Sequence, residues 1–183
     1  MIYHELFPTV IATDRYAGEV DFNIRLTPLT MGTSHYISLN HSLLDLDHLS
    51  ELKEYILEKL KVYYRQVLSE ESVDPYITQS WLNFTEKNQG THPHRHPNSI
   101  VSGVFYVEAD DEIIFYDTNG SSFNTKCSVK KMKVSKNDLI LFPSTLLHYV
   151  PNNTKTRTRI TIAFNTFATG TFGDHNILTG LNL

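Results

Sequence analysis

Thr156-Arg157-Thr158-Arg159-Ile160-Thr161-Ile162-Ala163-Phe164-Asn165 is the stretch that decides the fold. Its β-branched residues suit an extended, pleated chain. Successive side chains of a strand point to opposite faces. Ile160, Ile162 and Phe164 therefore make one apolar face, and Arg157, Arg159, Thr161 and Ala163 make the other. The first face is written for a core. The second carries two guanidinium groups, directed either to solvent or into a cavity. In a cavity, one of them would clamp a carboxylate, because the planar guanidinium matches a carboxylate through two parallel hydrogen bonds.

Similar stretches flank this one. Residues 5–13, 22–30, 76–84, 99–108, 112–117, 128–134, 138–142 and 156–167 all read as strands, rich in Val, Ile, Phe, Tyr and Thr. Asp117 to Ser122 (DTNGSS) reads as a turn. One segment differs in period. Leu49, Leu52, Ile56, Leu60, Tyr63 and Val67 recur at three- and four-residue steps, with charged residues on the other faces. This predicts one helix, capped by Asp45 or Asp47 and running to about Ser69. A long helix followed by closely spaced strands makes a mainly β sandwich or barrel backed by that helix and by short helical pieces. No linker-like break interrupts residues 1–183, which read as a single domain.

Composition sets outer bounds. The formal net charge is -4, which argues against a duplex nucleic-acid binder needing a basic face. The one cysteine, Cys127, builds neither a disulfide framework nor a thiolate zinc site, and it fits a reducing, cytoplasmic compartment. MIYHELFPTVIATDRY has no basic stretch followed by a continuous apolar run, so no signal peptide is expected. No stretch approaches the roughly 18 consecutive apolar residues of a membrane span. Nothing in the sequence fixes an oligomeric state.

Three of the nine histidines lie together in His92-Pro93-His94-Arg95-His96. Residues i and i+2 of an extended segment point the same way, so two successive members of the trio can aim imidazoles at one point. Imidazole suits iron, zinc, copper and nickel. Neighbours cannot surround an ion, so a third ligand must come from a distant segment. His148 is the natural candidate, after Leu139-Ile-Leu-Phe-Pro143 and before Pro151, at the mouth of a strand. His4, His35, His41, His48 and His175 lack comparable neighbours and read as surface or core histidines.

Together these features resemble the Fe(II)/2-oxoglutarate-dependent oxygenases, especially a bacterial and phage branch related to the prolyl 4-hydroxylases. The resemblance rests on Trp81-Leu-Asn83, His94-Arg-His96-Pro-Asn-Ser99, Ser102-Gly-Val-Phe-Tyr106, Phe142-Pro-Ser144, His148 and Arg159-Ile-Thr-Ile-Ala-Phe-Asn165. The tail from Phe167 to Leu181 agrees, with a weaker echo in Leu6-Phe-Pro8. It implies a double-stranded β-helix, the jelly-roll or cupin-like barrel, with iron near its open end. It also implies Fe(II), 2-oxoglutarate and O2 as reactants, with ascorbate as a supporting reductant. The cosubstrate becomes succinate and carbon dioxide while a substrate is hydroxylated in the cytoplasm of a bacterial cell or phage-infected host. The leading substrate is a prolyl or other residue of a peptide or protein, with a small molecule as the alternative.

The resemblance also assigns residues. The 5-carboxylate of the cosubstrate falls to Arg159 with Thr161, or on prolyl-hydroxylase spacing to Arg157 with Thr161. Tyr106 resembles the tyrosine that joins the arginine, and Asn83 lines the pocket or holds a turn. The common iron triad is two histidines and a carboxylate, yet His96 stands at the carboxylate position. Either His96 itself ligates, or Asp117 supplies the carboxylate, or His92 and His94 form the pair. The spacing to the following motifs favours His94, His96 and His148 as metal ligands and catalytic centre.

Two other classes compete. A cupin that does not use 2-oxoglutarate shares the barrel and the HxH start, and Pro143-x-Thr145-x-x-His148-x-x-x-Asn152 approaches its second motif. Its usual glutamate is absent, since Ile100 and Val101 stand there, and it has no use for the arginine and threonine pair. A structural module with an adventitious histidine loop would need no cosubstrate.

Overall fold

The strand Arg159–Phe172 lies at the centre of the larger of two sheets, and its faces behave as their alternation dictates. Ile160, Ile162 and Phe164 enter a core, while Arg159, Thr161 and Ala163 line a cavity. The computed structural model describes residues 1–2, 8–20, 27–68, 72–117 and 128–183. Among them the strands are β1 (Ala12–Arg15), β2 (Leu29–Met31), β3 (Tyr36–Ser38), β4 (Val73–Thr85), β5 (Val101–Glu108) and β6 (Asp110–Tyr116). They continue with β7 (Val129–Ser135), β8 (Asp138–Pro143), β9 (His148–Tyr149), β10 (Arg159–Phe172) and β11 (Leu181–Asn182), and the helix is α1 (Ser50–Val67).

The larger sheet runs β1-β8-β5-β10-β4-β3-β2, with β11 beside the end of β10, and the smaller runs β7-β6-β9. Every pair is antiparallel. The two sheets enclose Tyr106, Ile113, Phe115, Val134, Ile140 and Phe142. The other face of the larger sheet presents Phe105, Leu139, Leu141, Ile160, Ile162 and Phe164 to α1. From the helix come Leu52, Ile56, Leu60, Tyr63 and Tyr64. This is the double-stranded β-helix expected from the sequence, backed by one helix. A fully buried Leu, Ile or Phe contributes about 1.5–3 kcal/mol, so these two layers dominate the stability. Strands β5 and β8 are covered on both faces, which explains the unbroken apolar run Leu139-Ile-Leu-Phe142.

Several boundaries differ from the sequence reading. Neither Asp45 nor Asp47 caps α1. The 3-10 turns Leu43–Asp45 and Asp47–Leu49 lead into the helix, and Leu46 and Leu49 bond to carbonyls three residues back. Asp45 instead pairs with Lys53 at 2.7 Å. Strand β10 begins at Arg159, leaving residues 156–158 outside it. Among the described residues, the strand expected over 5–13 is represented by Ala12–Arg15 and that over 22–30 by Leu29–Met31. Residues 5–7, 22–26 and Ser69 lie outside the described residues, as do positions 118–122 of the expected turn and Cys127. Two short strands, β3 and β9, have no alternating pattern long enough to read, and both border the cavity. No helix among the described residues is long and apolar enough to cross a membrane.

Gly103 sits where β5 crosses the apolar face of β10. A methyl group there would lie 2.6 Å from Phe164 Cε2 and 2.9 Å from Leu141 Cδ2, with the tip of the phenyl ring closer still. Overpacking of this kind typically costs about 1–3 kcal/mol. Gly103→Ala should therefore lower the urea midpoint by a corresponding amount with an unchanged slope. An unshifted midpoint would mean that the Phe164 ring has room to move.

Candidate metal centre

His94 and His148 are held face to face by their own backbones. His94 N donates to His148 O at 2.9 Å, and His148 N donates to His94 O at 3.1 Å. This reciprocal antiparallel bridge puts the two side chains opposite one another, with ring centroids 4.4 Å apart. His96 is two residues further on and so points the same way. Its N–H donates to Ser144 O at 3.0 Å, and its ring lies 5.0 Å from His94 and 5.2 Å from His148. One nitrogen from each imidazole falls in a group whose members all lie within 4.8 Å of one another. A cross-strand pair plus an i+2 neighbour thus makes three convergent nitrogens from two short segments.

Two of the tautomers are fixed. His94 Nδ1 donates to His92 O at 2.7 Å, and His148 Nδ1 donates to Leu146 O at 2.9 Å. Each leaves Nε2 with its lone pair, the arrangement metal-binding histidines adopt when a carbonyl orients the ring. Burial pushes His148 down to about 3 and His96 to about 4, and it also lowers His94. All three are neutral imidazoles at pH 7, as metal ligation requires. Phe142 and Phe115 pack on His148 at 4.6 and 6.1 Å, and Trp81 lies 5.9 Å from His96.

The cluster opens into a cavity of about 200 Å³. A row of polar residues crosses its floor on three adjacent strands: Asn83 of β4 is opposite Thr161 of β10, which is opposite Tyr106 of β5. Trp81 Nε1 donates to Asn83 Oδ1 at 3.1 Å, which fixes the amide. Asn83 Nδ2 then donates to Thr161 Oγ1 at 3.2 Å, freeing the threonine hydroxyl hydrogen to donate elsewhere. The Tyr106 hydroxyl is fully buried and has no hydrogen-bond partner among the described residues. Leaving such a group unpaired costs about 1–3 kcal/mol, the mark of a group awaiting a ligand.

Arg159 is 5% exposed, and burial lowers its pKa. Nη1 donates to Asp111 Oδ2, and Nη1 and Nη2 share Pro151 O at 3.4 and 3.3 Å. A guanidinium has five N–H donors. The two without an acceptor among the described residues are Nε–H and the outer Nη2–H, which share one edge. That edge is a bidentate seat for a carboxylate.

The remaining expectations divide. Arg157 lies outside the cavity wall, because it precedes β10 and pairs with Glu108. Asp117 is exposed and stands outside the group of potential ligands, so it does not supply a carboxylate to it. His92 lines the cavity without joining that group, so the shifted His92/His94 pair is not formed. His35 is no bystander: it is buried, lines the cavity, and places Nε2 3.0 Å from Asn83 Oδ1. Sequence reasoning missed this role because a lone histidine in the polar stretch 30–42 carries no pattern. Asp111 was missed for the same reason.

The neutral imidazoles make stability depend on pH. Between the folded values of about 3 and 4 and the ordinary 6.5, the unfolded chain binds more protons than the folded one. Stability therefore falls as pH drops below about 6.5, and this source adds nothing above it. The metal-free melting temperature should be flat above that point and decline towards pH 4. His148→Asn should make the decline shallower than in the wild-type protein, and an unaltered slope would exclude His148 as its source.

Residues 79–165 match the family model for 2OG-Fe(II) oxygenases. No curated protein matches the sequence. Among solved structures, HygX from Streptomyces hygroscopicus, with nickel, 2-oxoglutarate and hygromycin B bound, is similar at TM-score 0.64 and 10% identity, over 86% of this chain and 82% of HygX. A Pseudomonas putida prolyl-4-hydroxylase is similar at TM-score 0.58 and 13% identity, over 86% and 92%. A Burkholderia pseudomallei 2OG-Fe(II) oxygenase family protein is similar at 0.58 and 12%, over 76% and 71%. At such identities the structures share a fold, whereas the family match rests on the sequence itself. It covers all three imidazoles, Asn83, Tyr106, Arg159 and Thr161, and it separates the chain from the cupin alternative. Through residues 79–165 the chain matches the 2OG-Fe(II) oxygenases, a family whose members use Fe(II), 2-oxoglutarate and O2.

Proposed function

We propose that residues 1–183 act as one hydroxylase domain that holds Fe(II) on His94, His96 and His148 and seats 2-oxoglutarate against Arg159. The observation that carries this reading is the common cavity. Convergent imidazoles line one part of it, and the unpaired edge of Arg159, the unpaired Tyr106 hydroxyl and the Thr161 hydroxyl line another. Bound there, Fe(II) supplies the Lewis-acid seat and the redox chemistry by which O2 converts 2-oxoglutarate to succinate and carbon dioxide and one oxygen atom enters the substrate.

The chain's own residues do the rest. Arg159 takes the 5-carboxylate through two parallel N–H groups, and Tyr106 and Thr161 donate hydroxyls to it. Asn83 orients Thr161 and does not itself need to touch the cosubstrate. Phe115, Phe142, Ile113 and Val104 keep water from the floor. Among the described residues, and apart from imidazoles, Arg159 is the only lining side chain with a formal charge at pH 7. A wall without lysine or carboxylate suits a neutral substrate group. This supports a prolyl or similar residue of a peptide or protein, in keeping with the prolyl-4-hydroxylase of similar fold. The hygromycin B bound in HygX keeps a small molecule as the alternative. We place the reaction in the cytoplasm of a bacterial cell or phage-infected host, with ascorbate sustaining turnover.

Mn(II) and 2-oxoglutarate together should raise the melting temperature more than Mn(II) alone, since a ligand at about 100 times its dissociation constant adds about 2.7 kcal/mol. Turnover to succinate should be stimulated by one member of a peptide pool, which gains 16 Da by the mass of one oxygen. His96→Ala should abolish turnover, and near-normal rates would exclude His96 as a ligand. Arg159→Ala removes one partner of a buried charge pair, a loss of about 2–5 kcal/mol, and should weaken 2-oxoglutarate at least about 30-fold. Arg157→Ala should not; the reverse outcome would move the clamp by two residues.

A further inference from the structure

The strand-entry segment and the β5–β6 turn face each other through three ion pairs: Lys155 with Asp110, Arg157 with Glu108, and Arg159 with Asp111. The first two pairs each contain an exposed side chain. The third is different. Its side chains are 5% and 19% exposed, and it ties β10 of the larger sheet to β6 of the smaller. Both Asp111 oxygens are engaged: Oδ1 accepts Glu112 N–H at 2.9 Å and Oδ2 accepts Arg159 Nη1. Asp111 itself is not among the residues lining the cavity. It grips the guanidinium away from the edge left for a ligand.

The proposed iron site and the clamp together show what this carboxylate does. With three neutral imidazoles, the metal end carries the full charge of Fe(II), +2. The clamp end carries Arg159, +1, and among the described residues the cavity wall holds no carboxylate to offset either. Dianionic 2-oxoglutarate cancels two of these three charges. The third is cancelled only if Asp111 is counted. In a site with two histidines and one carboxylate, the same cancellation is made beside the metal. We infer that Asp111 tunes the affinity for the cosubstrate through charge balance: it balances, at the arginine end, the charge that a carboxylate ligand would balance at the iron. The inference rests on the proposed cosubstrate site, and it adds a residue that never touches either ligand.

The consequence runs opposite to a structural role. A carboxylate that merely held Arg159 in place would, when neutralised, loosen the clamp and weaken binding. A charge-balancing carboxylate opposes the incoming anion, so neutralising it strengthens binding. Calorimetry of 2-oxoglutarate with Mn(II)-loaded protein separates the two without turnover. Asp111→Asn, and Asp111→Ser as a second replacement, should bind 2-oxoglutarate about fivefold tighter or more, the effect of one charge at roughly 10 Å in a partly screened site. The 5-amide of 2-oxoglutarate, a monoanion, should gain less, so the ratio between the two ligands widens. His96→Asp, which moves a carboxylate to the metal, should weaken 2-oxoglutarate about as much, and His96→Asp with Asp111→Asn should return to within about twofold of the wild-type protein. Unchanged or weaker binding in both Asp111 variants, or a double variant as weak as His96→Asp, overturns the inference while wild-type binding leaves the cosubstrate site standing. A wild-type protein that takes Mn(II) and no 2-oxoglutarate overturns both.

Discussion

Two backbone hydrogen bonds between His94 and His148 fix the geometry on which the site depends. They join the segment entering the larger sheet to the strand that borders the smaller one. Residues directly opposite in an antiparallel pair carry their side chains on the same face, so the bridge sets the two imidazoles beside one another. His96 follows from the pleat and needs no further instruction. The metal centre is therefore a property of strand register. A slip of one residue would turn His94 and His96 away together and bring Arg95 inward.

Several devices hold that register. Pro97 and Asn98, the latter with φ of 60°, turn the chain from His96 into β5, a conformation asparagine tolerates better than most residues. Behind the turn runs a network of short polar groups. Ser144 Oγ donates to Ser99 Oγ at 2.8 Å, Ser102 Oγ lies 2.8 Å from Ser144 Oγ, and Ser102 Oγ donates to Asn165 Oδ1 at 2.9 Å. Thr166 N donates to Ser99 Oγ at 3.1 Å. These contacts pin the HxH segment to β5, β8 and β10 at once. They also explain why the Pro-Asn-Ser, Ser-Gly-x-x-Tyr, Phe-Pro-Ser and terminal asparagine elements occur together in the sequence. Ser99, Ser102, Ser144 and Asn165 are members of one polar joint.

What was legible in the sequence is what repeats with a period. The two faces of β10, the buried stripe of α1 and the i+2 relation of His94 and His96 all follow from side-chain alternation or helical spacing. What was not legible depends on meetings between distant segments. Alternation alone puts Arg157 and Arg159 on one face of one strand, yet β10 starts only at Arg159, and Arg157 pairs with Glu108 instead. His35 enters the site because β3 pairs with β4 at Ile37 and Asn83, a register that three residues of strand cannot announce. Asp45 and Asp47 are plausible caps by composition, but a pair of 3-10 turns already serves the start of α1.

The polar partners in the cavity share a logic with the register that places them. Thr161, Arg159, His94 and His148 are each held by a neighbour that leaves a donor or a lone pair over. The amide of Asn83 accepts from Trp81 and donates to Thr161, so the threonine hydrogen is spare. Asp111 and Pro151 O take three donors of Arg159 and leave one bidentate edge. Leu146 O and His92 O take Nδ1–H of two imidazoles and leave Nε2. Groups fixed in this way need not reorganise when an anion or a metal arrives, so the ordering cost falls on folding and not on binding. Within the cavity, the group left open by the fold is thereby prepared for chemistry, and the Tyr106 hydroxyl, buried without a partner among the described residues, is the plainest case.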